Sequence, residues 1–370
     1  MVNTAIFLGA GASKTEGAPL QGELFKEYFS SPDFLHKNNK MNRELTAFFL
    51  EMFKLSVKDR SLTNDSFPTF EEVLGLTDLA ILRKEAFRHF DLDNRDHRNS
   101  GRLPIMGQYL TFLVATVLDK NLPRRLGHHR RLVRTLAGAD ELRNVVFVST
   151  NYDILIDNAL TEEPGRGFDL DYGIEFRNFD PSFVGDNHWR RPNLDNCVQL
   201  YKPHGSLNWL FCPTCSELEI TPKEKGVVTR LISDFTKKPC SRCAGAFAPL
   251  IVPPTFYKDL NNVFLSTIWN RTDIAVQKVK HIVFCGYSFP DADIHIKYLL
   301  KRAQTNRDGD LDFTVINHFP GKDHDQIKQE QYRYERFLGK NVNYTTKSFQ
   351  DFCNDPFDVI SHSGGIRDHP

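Results

Sequence analysis

Nowhere does the chain carry the roughly 18 uninterrupted apolar residues of a membrane-spanning helix, and no basic segment with a long apolar core precedes its first apolar run, Ala5 to Leu8. Neither a spanning segment nor a secretory leader is expected. Charge of one sign is missing too. Lys plus Arg and Asp plus Glu both count 47, so no long-range field draws the whole protein onto nucleic acid or an anionic surface. No internal repeat or low-complexity tract interrupts the sequence. A disulfide framework is absent: of seven cysteines, Cys197, Cys285 and Cys353 stand alone and four form two C-x-x-C pairs. That usage suits a metal site in a reducing compartment. The expectation is a cytoplasmic protein with no membrane attachment and no direct nucleic-acid binding.

What is present suffices for a sizeable core, since 370 residues with 40% hydrophobic content and 30 Phe describe an ordinary folded chain. Thr4 to Leu8, the turn Gly9-Ala-Gly-Ala-Ser13 and the segment running into Leu20 to Phe29 read as strand, glycine turn and helix, the opening of a βαβ unit. Leu45, Phe48, Phe49, Met52 and Phe53, then Leu110, Leu113, Val114, Val117 and Leu118, repeat at helical spacing. These predict a helical insertion over 21–140, with the polar run Asp91 to Arg102 as an exposed loop inside it. Asn144 to Val148, Val198 to Tyr201, Pro249 to Val252, His281 to Cys285 and Leu311 to Ile316 read as further strands. Strands alternating with helices imply a Rossmann-like α/β fold with a mostly parallel sheet. The Gly-, Pro- and Asn-rich segment 164–196 reads as a long irregular cover over one face.

Several strand ends carry polar residues suited to chemistry. Gly9 and Gly11 let a backbone approach a pyrophosphate, although Lys14 replaces the third glycine of the dinucleotide fingerprint, and a generic tight turn explains them as well. Asn151 and Asp153 follow a strand where open α/β sheets bind ligands, or they cap the next helix. His204, in Lys202-Pro-His-Gly-Ser206, titrates in the neutral range, or is structural. Cys212-Pro-Thr-Cys215 and Cys240-Ser-Arg-Cys243 offer four thiolates to a tetrahedral zinc, leaving no open position for catalysis. They predict a small structural zinc ribbon over 210–248; a redox pair is the alternative.

Taken in order, Gly-Ala-Gly-Ala-Ser, Thr-Asn-x-Asp, His-Gly, two C-x-x-C pairs, Gly-x-Ser and Ile-Asn resemble the sirtuin family, with matches spanning most of residues 4 to 320. The resemblance implies an NAD⁺-binding catalytic domain over 1–320 and a C-terminal extension over 321–370. It implies that Gly9, Ala10, Gly11, Ser13 and Pro19 belong to the loop around the pyrophosphate and nicotinamide ribose. Gly286 and Ser288 match a later phosphate- and ribose-binding turn, and Asn317 matches the asparagine on the adenosine ribose. Asn151, Asp153 and His204 match the catalytic set.

Departures from the deacetylase pattern narrow what is expected. Gly17-Ala-Pro-Leu-Gln-Gly22 lacks the family's Asp-Phe-Arg, the helical insertion is large, and Ile251-Val-Pro-Pro-Thr255 replaces the Phe-Gly-Glu that helps bind acetyl-lysine. The chain looks more like divergent antiphage effectors that degrade NAD⁺ as large oligomers, some with a HerA-class ATPase. An NAD⁺ hydrolase acting as a homo-oligomer is the expectation. An NAD⁺-dependent protein deacylase and a non-catalytic nucleotide-sensing assembly module are the alternatives.

Overall fold

The computed structural model describes residues 2–36, 39–92, 102–121, 127–161, 169–176, 197–220, 240, 242–245, 247–252, 262–291, 293–317 and 323–360. Most of the expected loop 91–102, most of the irregular segment 164–196, and positions 253–255 lie outside the described residues. The first half holds β1 (Thr4–Leu8), α1 (Ala10–Lys14), α2 (Leu24–Phe29), α3 (Pro32–His36), α4 (Lys40–Phe53), α5 (Phe70–Arg83), α6 (Arg102–Asn121), α7 (His128–Gly138), β2 (Val145–Ser149), α8 (Leu155–Thr161) and β3 (Asp169–Asp171). After these come β4 (Cys197–Tyr201), β5 (Gly205–Cys212), β6 (Glu217–Ile220), β7 (Ala248–Ile251), α9 (Val263–Lys278), β8 (His281–Cys285), α10 (Ile294–Thr305), β9 (Asp312–Ile316), α11 (His324–Leu338), β10 (Val342–Thr345), α12 (Phe349–Asn354) and α13 (Phe357–Ile360).

The apolar runs become the centre of a seven-stranded sheet in the order β10-β9-β8-β1-β2-β4-β3. Every pairing between its neighbours is parallel. Parallel strands are covered on both faces, which is why β1, β2 and β8 are apolar throughout rather than alternating, and all of their residues are buried. The register sets the site. Leu8 lies opposite both Ser149 and Cys285, and Cys285 lies opposite Ile316. Four strands therefore end level, and the turns that follow them, at Gly9, Thr150, Gly286 and Asn317, meet along one edge. β1 lies between β2 and β8, so the chain leaves it in opposite directions, the crevice where open α/β sheets take ligands.

A second core fills the helical insertion. Phe25, Phe29, Phe48, Phe49, Leu110 and Leu113 are buried together, with Phe25 and Phe49 edge to face at 4.8 Å, a favourable aromatic geometry. Helix α7, within the stretch read as insertion, instead packs Leu132, Val133 and Leu136 on the sheet. Past residue 320 the chain still builds the sheet layer, through Tyr334, Val342, Phe349 and Phe352. A separate antiparallel sheet, β6-β5-β7, carries the cysteines. Among the described residues no helix is long and apolar enough to cross a membrane.

Candidate active site at the carboxyl edge of the sheet

The level strand ends open onto a cavity of about 570 Å³, within the range that holds small ligands. Ala10, Gly11, Ser13 and Pro19 line it from the first turn, Asn151 and Asp153 from the second, His204 from the fourth strand's loop, and Gly286, Ser288 and Asn317 from β8 and β9. Ten residues singled out in sequence thus come together. Gly9 stands behind the wall: a Cβ there would lie 2.6 Å from both the Gly286 carbonyl oxygen and Tyr287 Cα. Gly286 adopts a left-handed φ of +62°, and a Cβ on it would lie 1.9 Å from the Ala12 nitrogen. The two turns pack backbone on backbone, and Gly11 N–H donates to the Gly286 carbonyl at 2.8 Å. The glycines are demanded by this close approach as well as by any ligand.

Polar groups from the first two turns interlock. Asn151 Nδ2 donates to the Gly9 carbonyl at 2.9 Å and to Ser13 Oγ at 3.0 Å. Both amide protons are then spent, so the hydrogen-bonding capacity left to this side chain is that of an acceptor. Ser13 Oγ donates in turn to Asp153 Oδ2 at 2.7 Å. The other Asp153 oxygen accepts from Leu155 N–H at 3.0 Å, so Asp153 also satisfies an opening amide of α8, as a capping residue does.

His204 is buried, with Nδ1 3.2 Å from the Thr150 carbonyl. A carbonyl only accepts, so this contact selects the tautomer with the proton on Nδ1. Nε2 is left toward Asp293 Oδ1, 3.5 Å away. Asp293 occupies the position before α10 without capping it; its Oδ2 accepts from the Tyr287 hydroxyl at 2.8 Å. Burial, with the Asp293 charge beside it, pushes the Tyr287 phenol well above its ordinary value and keeps it a donor. The adjoining glycine is also explained. Gly205 has φ +78°, and a Cβ there would sit 2.0 Å from the Leu250 carbonyl oxygen, while Val252 N–H donates to the His204 carbonyl at 2.8 Å. The loop is clamped by the small sheet.

Three elements of the site are not evident from the motifs. Asp293 belongs to none of the sequence motifs. Lys202 is fully buried and spends its three protons on the Asp153 carbonyl at 2.6 Å, Asp157 Oδ2 at 3.0 Å and Ser206 Oγ at 2.7 Å. Tyr172 donates to the other Asp157 oxygen at 2.9 Å. Glu16 accepts from Gly127 N–H at 2.9 Å and His129 N–H at 2.8 Å and lies 2.6 Å from His129 Nδ1. Burial raises its pKa, but the His129 hydrogen bond and charge and these amides outweigh it and bring the carboxyl down to about 2. This pair ties the turn before Pro19 to α7.

The four cysteines converge as the spacing predicts. All four sulfurs lie within 4.8 Å of one another, with Cys212 to Cys243 at 3.5 Å and Cys215 to Cys240 at 3.6 Å. A tetrahedral zinc with bonds of about 2.3 Å needs sulfurs about 3.8 Å apart, so the set fits the metal. The two knuckles are alike: Ser216 and Ala244, each one residue past its pair, are left-handed at φ 56° and 58°, and their N–H groups donate to the Cys212 and Cys240 carbonyls at 2.9 Å.

Residues 145–338, more than half of the chain, match the SIR2-like domain family. Among solved structures, Sir2Tm bound to a propionylated peptide is similar at TM-score 0.40 and 11% identity, covering 97% of this chain and 93% of that one. Sir2 with a p53 peptide and NAD⁺ is similar at TM-score 0.39 and 12% identity, covering 97% and 94%. No curated protein matches the chain.

Proposed function

The chain belongs to the SIR2-like domain family, and from that premise we propose that it binds NAD⁺ at the carboxyl edge of the sheet and hydrolyses the nicotinamide–ribose bond, releasing nicotinamide and ADP-ribose. The observation that carries the reading is the pairing, in one cavity, of an acceptor-only Asn151 with a His204 whose Nε2 faces a carboxylate.

Breaking that bond builds positive charge on the ribose, and water must then add to the anomeric carbon. Asn151 accepts a hydrogen bond from this water and so leaves an oxygen lone pair directed at carbon. His204 Nε2 takes the proton that the water loses as its oxygen bonds to carbon, while the C–N electron pair leaves with nicotinamide. Asp293 stabilises the imidazolium that results, as a carboxylate does beside a catalytic histidine. Asp153, with both oxygens engaged, positions the loop through Ser13. Cys212, Cys215, Cys240 and Cys243 would hold a structural zinc, which would fix the small sheet against the His204 loop. The missing Asp-Phe-Arg after Gly17 supports water as the acceptor. The resemblance to divergent sirtuin-like effectors extends the proposal to an NAD⁺-depleting antiphage effector that works as a homo-oligomer, with a HerA-class ATPase as a candidate partner.

The test is incubation of the purified protein with NAD⁺ alone, following nicotinamide and ADP-ribose by chromatography, with His204→Ala as control. Release without peptide, lost in the variant, supports the hydrolase. Release only after an acylated peptide is added replaces it with a deacylase, and a fully active, folded His204→Ala protein removes the proposed mechanism.

A further inference from the structure

The cavity at the sheet edge has a wall that the proposed hydrolysis does not use. Gln326, Gln329, Glu330 and Arg333 line it from α11, at spacings of three and four residues that put them on one helix face. α11 follows β9, and β9 stands four places from β4 in the sheet order. At about 4.8 Å per strand, the Asn317 end of the edge is roughly 19 Å from the His204 end. α11 is fixed at the Asn317 end: the Tyr334 hydroxyl and Asn317 Nδ2 both donate to the Tyr287 carbonyl, the second at 3.4 Å. A dinucleotide cleaved beside His204, with its pyrophosphate on the glycine turns between, therefore brings its adenosine to α11.

Arg333 is the cation of this wall, and it is half-buried. Asp291, a carboxylate on which its charge acts, is already paired with Lys297 at 2.7 Å and Arg336 at 3.6 Å. Glu330 is 2% exposed; burial first, and then its charge, raise the Tyr334 and Tyr344 phenols of the sheet layer. Exposed Gln329 carries an amide donor and acceptor, the pair of groups that an adenine edge takes. The adenosine of NAD⁺ bears no charge beyond the pyrophosphate, so a guanidinium at this end is surplus to NAD⁺. It matches a phosphate on the ribose, as an arginine near the 2′-hydroxyl does in dinucleotide-binding folds.

We propose that the cavity also accepts NADP⁺, with Arg333 meeting the 2′-phosphate of the adenosine ribose; this rests on the reading of the sheet edge as an NAD⁺ site. The step is unchanged. The water oxygen bonds to the anomeric carbon, the water proton goes to His204 Nε2, and the C–N electron pair leaves with nicotinamide, giving ADP-ribose 2′-phosphate. Steady-state nicotinamide release from NADP⁺ and from NAD⁺ by the whole chain tests it. Both should be cleaved, and Arg333→Ala should raise KM for NADP⁺ about tenfold more than KM for NAD⁺, the loss of one charge-assisted contact, with Arg333→Lys recovering part of the difference. Circular dichroism checks the fold of each variant. Cleavage of NAD⁺ with refusal of NADP⁺ would overturn the proposal, as would an equal rise in both KM values, which would put Arg333 on the shared pyrophosphate. If neither dinucleotide is cleaved, the hydrolase reading fails by itself, and calorimetry with adenosine 2′,5′-bisphosphate and 5′-AMP decides. Tighter binding of the bisphosphate, lost in Arg333→Ala, upholds the Arg333 contact, and equal or absent binding of the two overturns it.

Discussion

The Lys202 ammonium stands 3.0 Å from Asp157 Oδ2, with the two side chains 0% and 3% exposed. Its other two bonds, to the Asp153 carbonyl and Ser206, join the turn bearing Asn151 and Asp153 to the loop bearing His204. Removing one partner of such a pair strands the other charge, so Lys202→Met should cost about 3–5 kcal/mol in urea denaturation. Lys202→Met/Asp157→Leu should regain part of that stability, because the two losses are not additive. Turnover should not return with it, since the tether on Asp153 is still missing. Full recovery of activity in the double variant would reduce Lys202 to a core residue.

Much of this was legible before the structure. The central strands announce themselves as uninterrupted apolar runs, and the residues just past their ends, from Gly9 to Asn317, are those a level parallel register brings together. Lys202 and Asp157 were not legible, because nothing in spacing says that a lysine before Pro-His-Gly turns inward to meet a helix residue 45 positions away. Asp293 was not legible either, because it belongs to no motif and meets His204 only through the fold. The insertion was legible as helical, but apolar spacing cannot say which core a helix faces, and α7 faces the sheet. The edge strands β3 and β10 are short, and their residues carry little alternation to read.

Stability should fall in acid in two windows. Burial holds the His281 imidazole down at about 4 against an ordinary 6.5; its Nε2 lies 2.9 Å from Thr314 Oγ1 and its Nδ1 has no partner among the described residues. The unfolded chain therefore takes up the proton first, and stability present above pH 6.5 is lost as pH falls toward about 4, by roughly 3 kcal/mol. Glu16, lowered to about 2 from 4.5, should remove a similar amount between those two values. Thermal unfolding against pH checks this: His281→Gln should flatten the upper window and Glu16→Gln the lower. A melting temperature level from pH 7 to pH 4 in the parent would refute the His281 assignment.

Metal removal should reach the sheet edge. The purified protein is expected to carry one zinc ion per chain, lost in Cys212→Ser/Cys243→Ser, as elemental analysis would measure. The cysteines end β5 and flank β7, whose residues press on Gly205 and extend to the Val252 bond with His204. Chelation should therefore lower NAD⁺ turnover as well as the melting temperature, although no zinc ligand lines the cavity. Turnover that survives complete zinc loss would separate the ribbon from the site.

Asp293 is the sharpest test of the chemistry, because its place in sequence and its geometry point to different jobs. As a helix cap it would use its carboxylate on α10, and Asp293→Asn, which caps equally well, would change neither stability nor rate. The structure gives it no such bond and turns the carboxylate to Tyr287 and His204. If its charge stabilises the imidazolium, Asp293→Asn should keep the fold and lower kcat by on the order of 10² or more, while KM for NAD⁺ changes little. Tyr287→Phe, which removes the bond holding that carboxylate, should cost less, on the order of tenfold. An Asp293→Asn protein with parental kcat would leave His204 working alone, and one that merely melts early would return Asp293 to the architecture of α10.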